Sequence, residues 1–91
     1  MRLADKSVFI SGAGGGMGRL AAQIFAREGA CIVAFDITNE GLQETVASVE
    51  GESGRIVAVT GDVSVAADVE RAVAEGVRAF AAKRPPQFTG Q

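Results

Sequence analysis

Histidine, tyrosine and tryptophan are all missing from this 91-residue chain, and cysteine occurs once. Without histidine or tyrosine, a Ser-His-Asp triad, a histidine-ligated metal and a tyrosine acid/base are excluded within the sequence. The lone Cys31 lies in an apolar run and reads as a buried, inert thiol rather than a redox centre. No apolar run approaches the roughly 20 residues that cross a bilayer. The opening Met1-Arg2-Leu3-Ala4-Asp5-Lys6 has none of the features of a signal peptide. A formal net charge of −2 gives no attraction for nucleic acid or an anionic membrane. The expectation is a cytoplasmic chain forming one small domain, or a piece of a larger one, with no catalytic residue and no metal site.

Glycine is what the chain has in quantity, with 12 residues in all. Five of them fall within Ser11-Gly12-Ala13-Gly14-Gly15-Gly16-Met17-Gly18. The run before them, Lys6-Ser7-Val8-Phe9-Ile10-Ser11, is apolar and β-favouring, the pattern of a buried strand. After them, Met17, Leu20, Ala21, Ile24 and Phe25 recur at helical spacing and define an apolar face, with Gly29 as the helix C-cap. Ala30-Cys31-Ile32-Val33-Ala34-Phe35 is a second strand closed by Asp36, and its lack of alternation suits cover on both faces. Thr38 or Asn39 caps a second helix carrying Leu42, Val46 and Val49, which Gly51-Glu52-Ser53-Gly54 ends. A third strand runs from Arg55 to its polar turn at Gly61-Asp62. Ser64 or Asp68 then begins a third helix bearing Val69, Val73, Val77 and Phe80. This β-α-β-α-β-α alternation predicts an α/β fold, a parallel sheet with helices packed on it. Residues 84–91 hold both prolines and no period, and are expected to be an irregular tail, neither strand nor helix, with Gln87-Phe88-Thr89 folding back as a makeshift cover for the strand 1 edge as the alternative.

A glycine-rich turn between a strand and a helix offers unpaired N–H groups and the positive end of the helix dipole, a setting that favours a diphosphate. Side chains there would hold phosphate oxygens away, and the tight turn calls for positive φ. The spacing is particular. G-x-G-x-x-G from Gly12 would need glycine where Met17 stands, and no Lys-Ser or Lys-Thr completes a P-loop; the fit is Gly12-x-x-x-Gly16-x-Gly18. Taken alone, such a segment also suits a plain flexible turn, and Asp36 a strand-ending turn or helix cap. Together they favour a nucleotide site, because an acidic group about 20 residues past the loop sits where a ribose hydroxyl is held. Ile37 offers no positive charge for a 2′-phosphate, which favours NAD over NADP, with Arg19 as the nearest cation that could serve NADP.

These residues carry a family resemblance. The segment Ser11 to Gly18 resembles the T-G-x-x-x-G-[IL]-G motif of the short-chain dehydrogenase/reductases, with Ser11 for threonine and Met17 for the branched residue. Asp36 matches that family's NAD-selecting acidic position. Gly61-Asp62-Val63-Ser64 resembles its turn after the third strand, where the aspartate and the next backbone contact adenine; on its own Asp62 suits a helix cap. The resemblance covers roughly residues 5–82. It implies the N-terminal half of an NAD(P)-binding Rossmann domain over residues 1–83, with strands in the order 3-2-1 and an end before the fourth. Cofactor contacts are implied for Gly12, Gly14, Gly15, Gly16, Met17, Gly18, Asp36, Ile37, Asp62 and Val63. The family's N-N-A-G, catalytic serine and Y-x-x-x-K segments have no counterpart, and Lys6 and Lys83, the only lysines, stand in no such motif. The implied activity is hydride transfer between a nicotinamide cofactor and an alcohol or carbonyl substrate in a parent enzyme, with this piece inactive. A free-standing nucleotide-binding or interaction module is the alternative. Its strand 1 edge would then pair with another copy or a relative.

Overall fold

The three apolar runs become strands because both of their faces are covered. In the computed structural model, which describes residues 6–80 and 88–89, β1 (Ser7–Ser11), β2 (Cys31–Asp36) and β3 (Arg55–Thr60) alternate with α1 (Gly16–Arg27), α2 (Asn39–Ser48) and α3 (Ala66–Phe80). All pairings are parallel and in step: Ser11 lies opposite Phe35, and Asp36 opposite Thr60. The sheet order is β3-β2-β1, continued by a short β4 (Phe88–Thr89). The α/β alternation and the 3-2-1 order are those expected from the sequence and its resemblance.

Side chains alternate between two cores, as the period of a strand requires. Val8, Ile10, Ile32 and Ala34 pack with Ala22, Ala26, Leu42 and Val49 under α1 and α2. Val33, Phe35 and Val59 pack with Ala72 and Phe80 under α3, joined by Phe9, whose ring lies 5.5 Å from that of Phe35. No helix among the described residues is long and apolar enough to cross a membrane.

Four local expectations need correction. On α1 the buried positions are Ala22 and Ala26, with Ala21 and Phe25 packed beside them, while Met17, Leu20 and Ile24 stay exposed. On α3 the buried positions are Ala72, Gly76 and Phe80, and Val73 and Val77 are exposed. The cause is close approach: small residues let a helix settle onto the sheet, and the branched ones ride on its flank. At the helix starts, Thr38 is the N-cap residue of α2 but makes no capping bond with its hydroxyl, which donates to Asp36. Helix α3 begins only at Ala66, two residues past Ser64, whose hydroxyl donates to Asp62. Finally, the tail is not wholly irregular. Phe88 and Thr89 pair in parallel with Ser7 and Val8, where the otherwise free edge of β1 offers backbone partners to two β-favouring residues. The domain boundary expected at residue 83 and the prolines Pro85 and Pro86 lie outside the described residues.

The corrected helix face is open to test by one substitution made twice. Leu42→Ala, at a fully buried position, should cost about 2–5 kcal/mol in urea unfolding. Leu20→Ala, at a residue 53% exposed, should stay within about 0.5 kcal/mol. Comparable losses at both positions would return α1 to the face that its periodicity predicts.

Candidate functional site

The C-terminal ends of β1, β2 and β3 share one rim, and the expected site residues all lie on it or just beyond. Beyond β1 the chain turns at Gly12, whose φ of 68° is the left-handed region that suits glycine. The turn is tied to its neighbour strand by the Ala13 N–H, which donates to the Phe35 carbonyl at 3.0 Å.

The loop glycines divide by what surrounds them. A Cβ on Gly14 would stand 3.0 Å from the Asp36 carboxylate carbon, and one on Gly18 would overlap the Gly12 and Ala13 backbone. Those two glycines are required by the protein's own packing. Gly16 has nothing within 4 Å of where its Cβ would be, and Gly15 has only the Gly12 carbonyl at 3.9 Å. Neither has a positive φ. Among the described residues, no packing or backbone constraint explains these two glycines. They stand at the start of α1, where no acceptor among the described residues takes the N–H groups of Gly16, Met17 and Gly18. Met17 itself is 85% exposed.

Asp36 and Asp62 sit in matching turns. The Asp36 Oδ1 accepts from the Thr38 N–H at 2.9 Å and the Thr38 hydroxyl at 2.8 Å, while its Oδ2 accepts from the Gly14 N–H at 2.8 Å. The Asp62 Oδ1 accepts from the Ser64 N–H at 2.9 Å and the Ser64 hydroxyl at 2.8 Å. The Thr38 N–H, followed by the Gly14 N–H, holds the Asp36 carboxyl below its ordinary value, and the Ser64 N–H does the same for Asp62. Both are therefore anionic at neutral pH. Between the two turns opens a cleft of about 200 Å³ lined by Gly12, Phe35, Asp36, Ile37, Gly61, Asp62 and Val63. Its floor is the Phe35 ring, against which Gly61 packs so closely that a Cβ would come within 2.7 Å. Ile37 and Val63, 66% and 63% exposed, are the branched residues that follow the two aspartates.

The structure thus brings Gly12, Asp36, Ile37, Asp62 and Val63 to one cleft, with Gly14 bonded to its edge and Gly15 to Gly18 beside it at the helix start. Arg19 is committed elsewhere. Its Nη2 donates to the Gly14 carbonyl at 3.0 Å, the Gly41 carbonyl at 3.3 Å and Glu44 Oε1 at 3.1 Å, and its Nε donates to the Thr45 hydroxyl at 3.0 Å. Among the described residues, no lysine or arginine lines the cleft. Sequence reasoning missed Gly41 and Thr45, whose partners lie across the fold; the one available signal was a hydroxyl residue on the buried side of an amphipathic helix.

A model of the short chain dehydrogenase family matches residues 6–82. The chain belongs to that family. An uncharacterized NAD-dependent oxidoreductase of Mycobacterium tuberculosis is 38% identical to it over 91 aligned residues, covering 86% of this chain and 33% of the relative. Among solved structures, carveol dehydrogenase from Mycobacterium avium in complex with NAD superposes with a TM-score of 0.79 at 39% identity, covering 86% of this chain and 32% of that one. The L-sorbose reductase of Gluconobacter frateurii, complexed with NADPH and L-sorbose, superposes at 0.74 with 32% identity, covering 92% and 33%. The chain spans about a third of the length of these family members.

The acid side of the stability profile tests the Asp36 bonds. A carboxylate with a lowered pKa contributes stability that is fully present above its unfolded value and is lost as pH falls through the folded one. The difference in melting temperature between wild type and Asp36→Asn should be constant from about pH 5 upward. It should shrink once pH falls below the ordinary value of 3.8. A gap that widens on acidification would show that Asp36 is not held by these donors.

Proposed function

We propose that this chain is the cofactor-binding part of a short-chain dehydrogenase, and that it takes NAD ahead of NADP. The observation that carries the reading is the open space over Gly15 and Gly16, two glycines with no role in the chain's own packing, at the unpaired N-terminus of α1. Phosphate oxygens fill such a space and accept from such N–H groups. The other parts agree. An ionised carboxylate offers about four lone-pair sites. Asp36 spends three on Thr38 and Gly14, leaving Oδ2 able to accept a ribose hydroxyl. The cleft over the Phe35 ring, with the apolar Ile37 and Val63 in its lining, suits a flat base, and Asp62 supplies a polar edge to it.

A 2′-phosphate would meet the Asp36 charge and, among the described residues, no cation in the cleft, so NADP is disfavoured by repulsion as much as by missing contacts. When bound, the nicotinamide supplies hydride chemistry on an alcohol or carbonyl carbon. The residues described here bind and orient the adenosine diphosphate half; no proton donor or substrate contact of the family's tyrosine motif is among them. The NAD dependence of the Mycobacterium tuberculosis relative and the NAD-bound carveol dehydrogenase support the same choice of cofactor.

Calorimetry on the 91-residue chain tests this reading. NAD should bind more tightly than NADP, Asp36→Ala should narrow the difference, and Gly16→Val should abolish both while leaving a folded protein. NADP binding as tightly as NAD sinks the choice of cofactor, and full affinity in Gly16→Val makes the loop a mere connector.

A second reading, an association module, is favoured by one observation. Beyond Val8, no strand among the described residues pairs with β1 on the side of β4, while Leu20 and Ile24 of α1 and Val73 and Val77 of α3 are exposed. Open edges and apolar surface of this kind invite a second copy. Sedimentation over a range of concentrations should then show dimers growing with concentration. A folded monomer at every concentration removes this reading.

A further inference from the structure

The glycine loop has two sides. One presents N–H groups outward; the other turns its carbonyls towards α2, and there the chain has built a brace. The Ala13 carbonyl accepts from the Thr45 hydroxyl at 2.6 Å, and the Gly14 carbonyl accepts from Arg19 Nη2 at 3.0 Å. The same Thr45 hydroxyl accepts from Arg19 Nε, and Arg19 is itself anchored to the Gly41 carbonyl and the Glu44 carboxylate. Thr45 is fully buried, with its one side-chain oxygen wholly engaged in this network.

A peptide unit is planar, so fixing its carbonyl fixes the N–H of the next residue. Two successive units are held at both ends in this way. The Ala13–Gly14 unit is held by Thr45 on its carbonyl and by Asp36 on its N–H. The Gly14–Gly15 unit is held by Arg19 on its carbonyl and by the Gly12 carbonyl, 3.3 Å from its N–H. The contact is so close that a Cβ on Gly41 would overlap the Gly14 backbone. Glycine loses more freedom on ordering than any other residue, so a loop this rich in it is costly to fix at the moment of binding. Fixing it beforehand removes that cost from the ligand.

We propose that Thr45 and Arg19 are positioning residues that hold the glycine loop in its diphosphate-binding form, without touching the ligand. The proposal rests on the cofactor reading above, and it predicts a selective defect. Ligands with a diphosphate should suffer when the brace is cut. Adenosine alone, bound at the Asp36 and Asp62 turns, should not.

The test uses the full 91-residue chain, with NAD and ADP measured by calorimetry and adenosine by NMR titration. Thr45→Val keeps the branched shape and deletes the hydroxyl. It should weaken NAD and ADP about tenfold, the equivalent of one braced hydrogen bond, and leave adenosine unchanged. Thr45→Ser should restore the wild-type values. Arg19→Gln, at the partly exposed end of the brace, should show the same selective loss, and it decides the matter if Thr45→Val does not fold. Unchanged NAD and ADP affinities in a folded variant overturn the proposal. So does an equal loss for adenosine, which would mean general loosening. If the wild type binds neither NAD nor ADP, the cofactor reading fails. Amide exchange at Gly14 and Gly15 then judges the brace alone: faster exchange in Thr45→Val, with β2 unaffected, supports it, and unchanged rates overturn it.

Discussion

The site depends on the step-for-step parallel pairing of β1, β2 and β3. Because Ser11 lies beside Phe35, and Asp36 beside Thr60, all three strands release their loops at one level of the sheet. The ladder continues past the strand ends: the Ala13 N–H donates to the Phe35 carbonyl, and the Gly61 N–H to the Asp36 carbonyl at 2.9 Å. Each loop therefore leaves the rim already locked to its neighbour. A slip of one residue in β2 would carry Phe35 to the opposite face and remove both the floor of the cleft and the carboxylate at its edge.

That rim is polar in a directed way. At the start of α1, N–H groups without acceptors present the positive end of the helix dipole. Beside it, Asp36 and Asp62 are kept anionic by donors from within their own turns, chiefly the N–H of the residue two places on. The same three-residue device, aspartate then a branched residue then a hydroxyl, closes both β2 and β3. Under the proposed reading, anionic groups would be drawn to one end of the rim and hydroxyls or amines to the other, which would give a ligand carrying both one orientation by charge alone. The Asp36 to Gly14 bond joins the two ends, so the carboxylate at one end also helps to shape the glycine loop at the other.

Much of this was legible in the sequence, and for definite reasons. Strands covered on both faces must be written as unbroken apolar runs, which located β1, β2 and β3 to within a residue or two. The glycine segment and the aspartates at the strand ends are local signals tied to backbone geometry, and they marked the loop and the rim. The helix faces were misread because periodicity weighs large residues most. Here the contacts are made by Ala22, Ala26, Ala72 and Gly76, which carry little hydrophobic signal. The brace was invisible because Thr45 and Arg19 meet the loop through hydrogen bonds that no spacing encodes, the Thr45 to Ala13 contact joining residues 32 apart in the chain. The short β4 was legible only as the alternative to an irregular tail, because the two prolines before it argue against a strand at their own positions and say nothing of Phe88 and Thr89.

The misread faces and the missed brace both involve close backbone approach, on different helices. Packing a helix through alanine and glycine brings its backbone close to whatever lies beneath. Gly41 lies on the Gly14 backbone, and Gly54 is pressed against Ala26 and Ala30 so tightly that neither glycine has room for a methyl group. Such closeness leaves Leu20, Ile24, Val73 and Val77 on the outside and forfeits their burial. On α2 the close approach is made at Gly41, and it brings the helix within reach of the loop, so that a side chain as short as Thr45 can bond a carbonyl there directly. Larger residues at Gly41 would push α2 outward, and the Thr45 hydroxyl would lose the Ala13 carbonyl before the core lost much contact, since hydrogen bonds weaken steeply with misalignment. Glycine at position 41 is therefore a condition for the polar geometry of the rim, because any side chain there would part α2 from the loop.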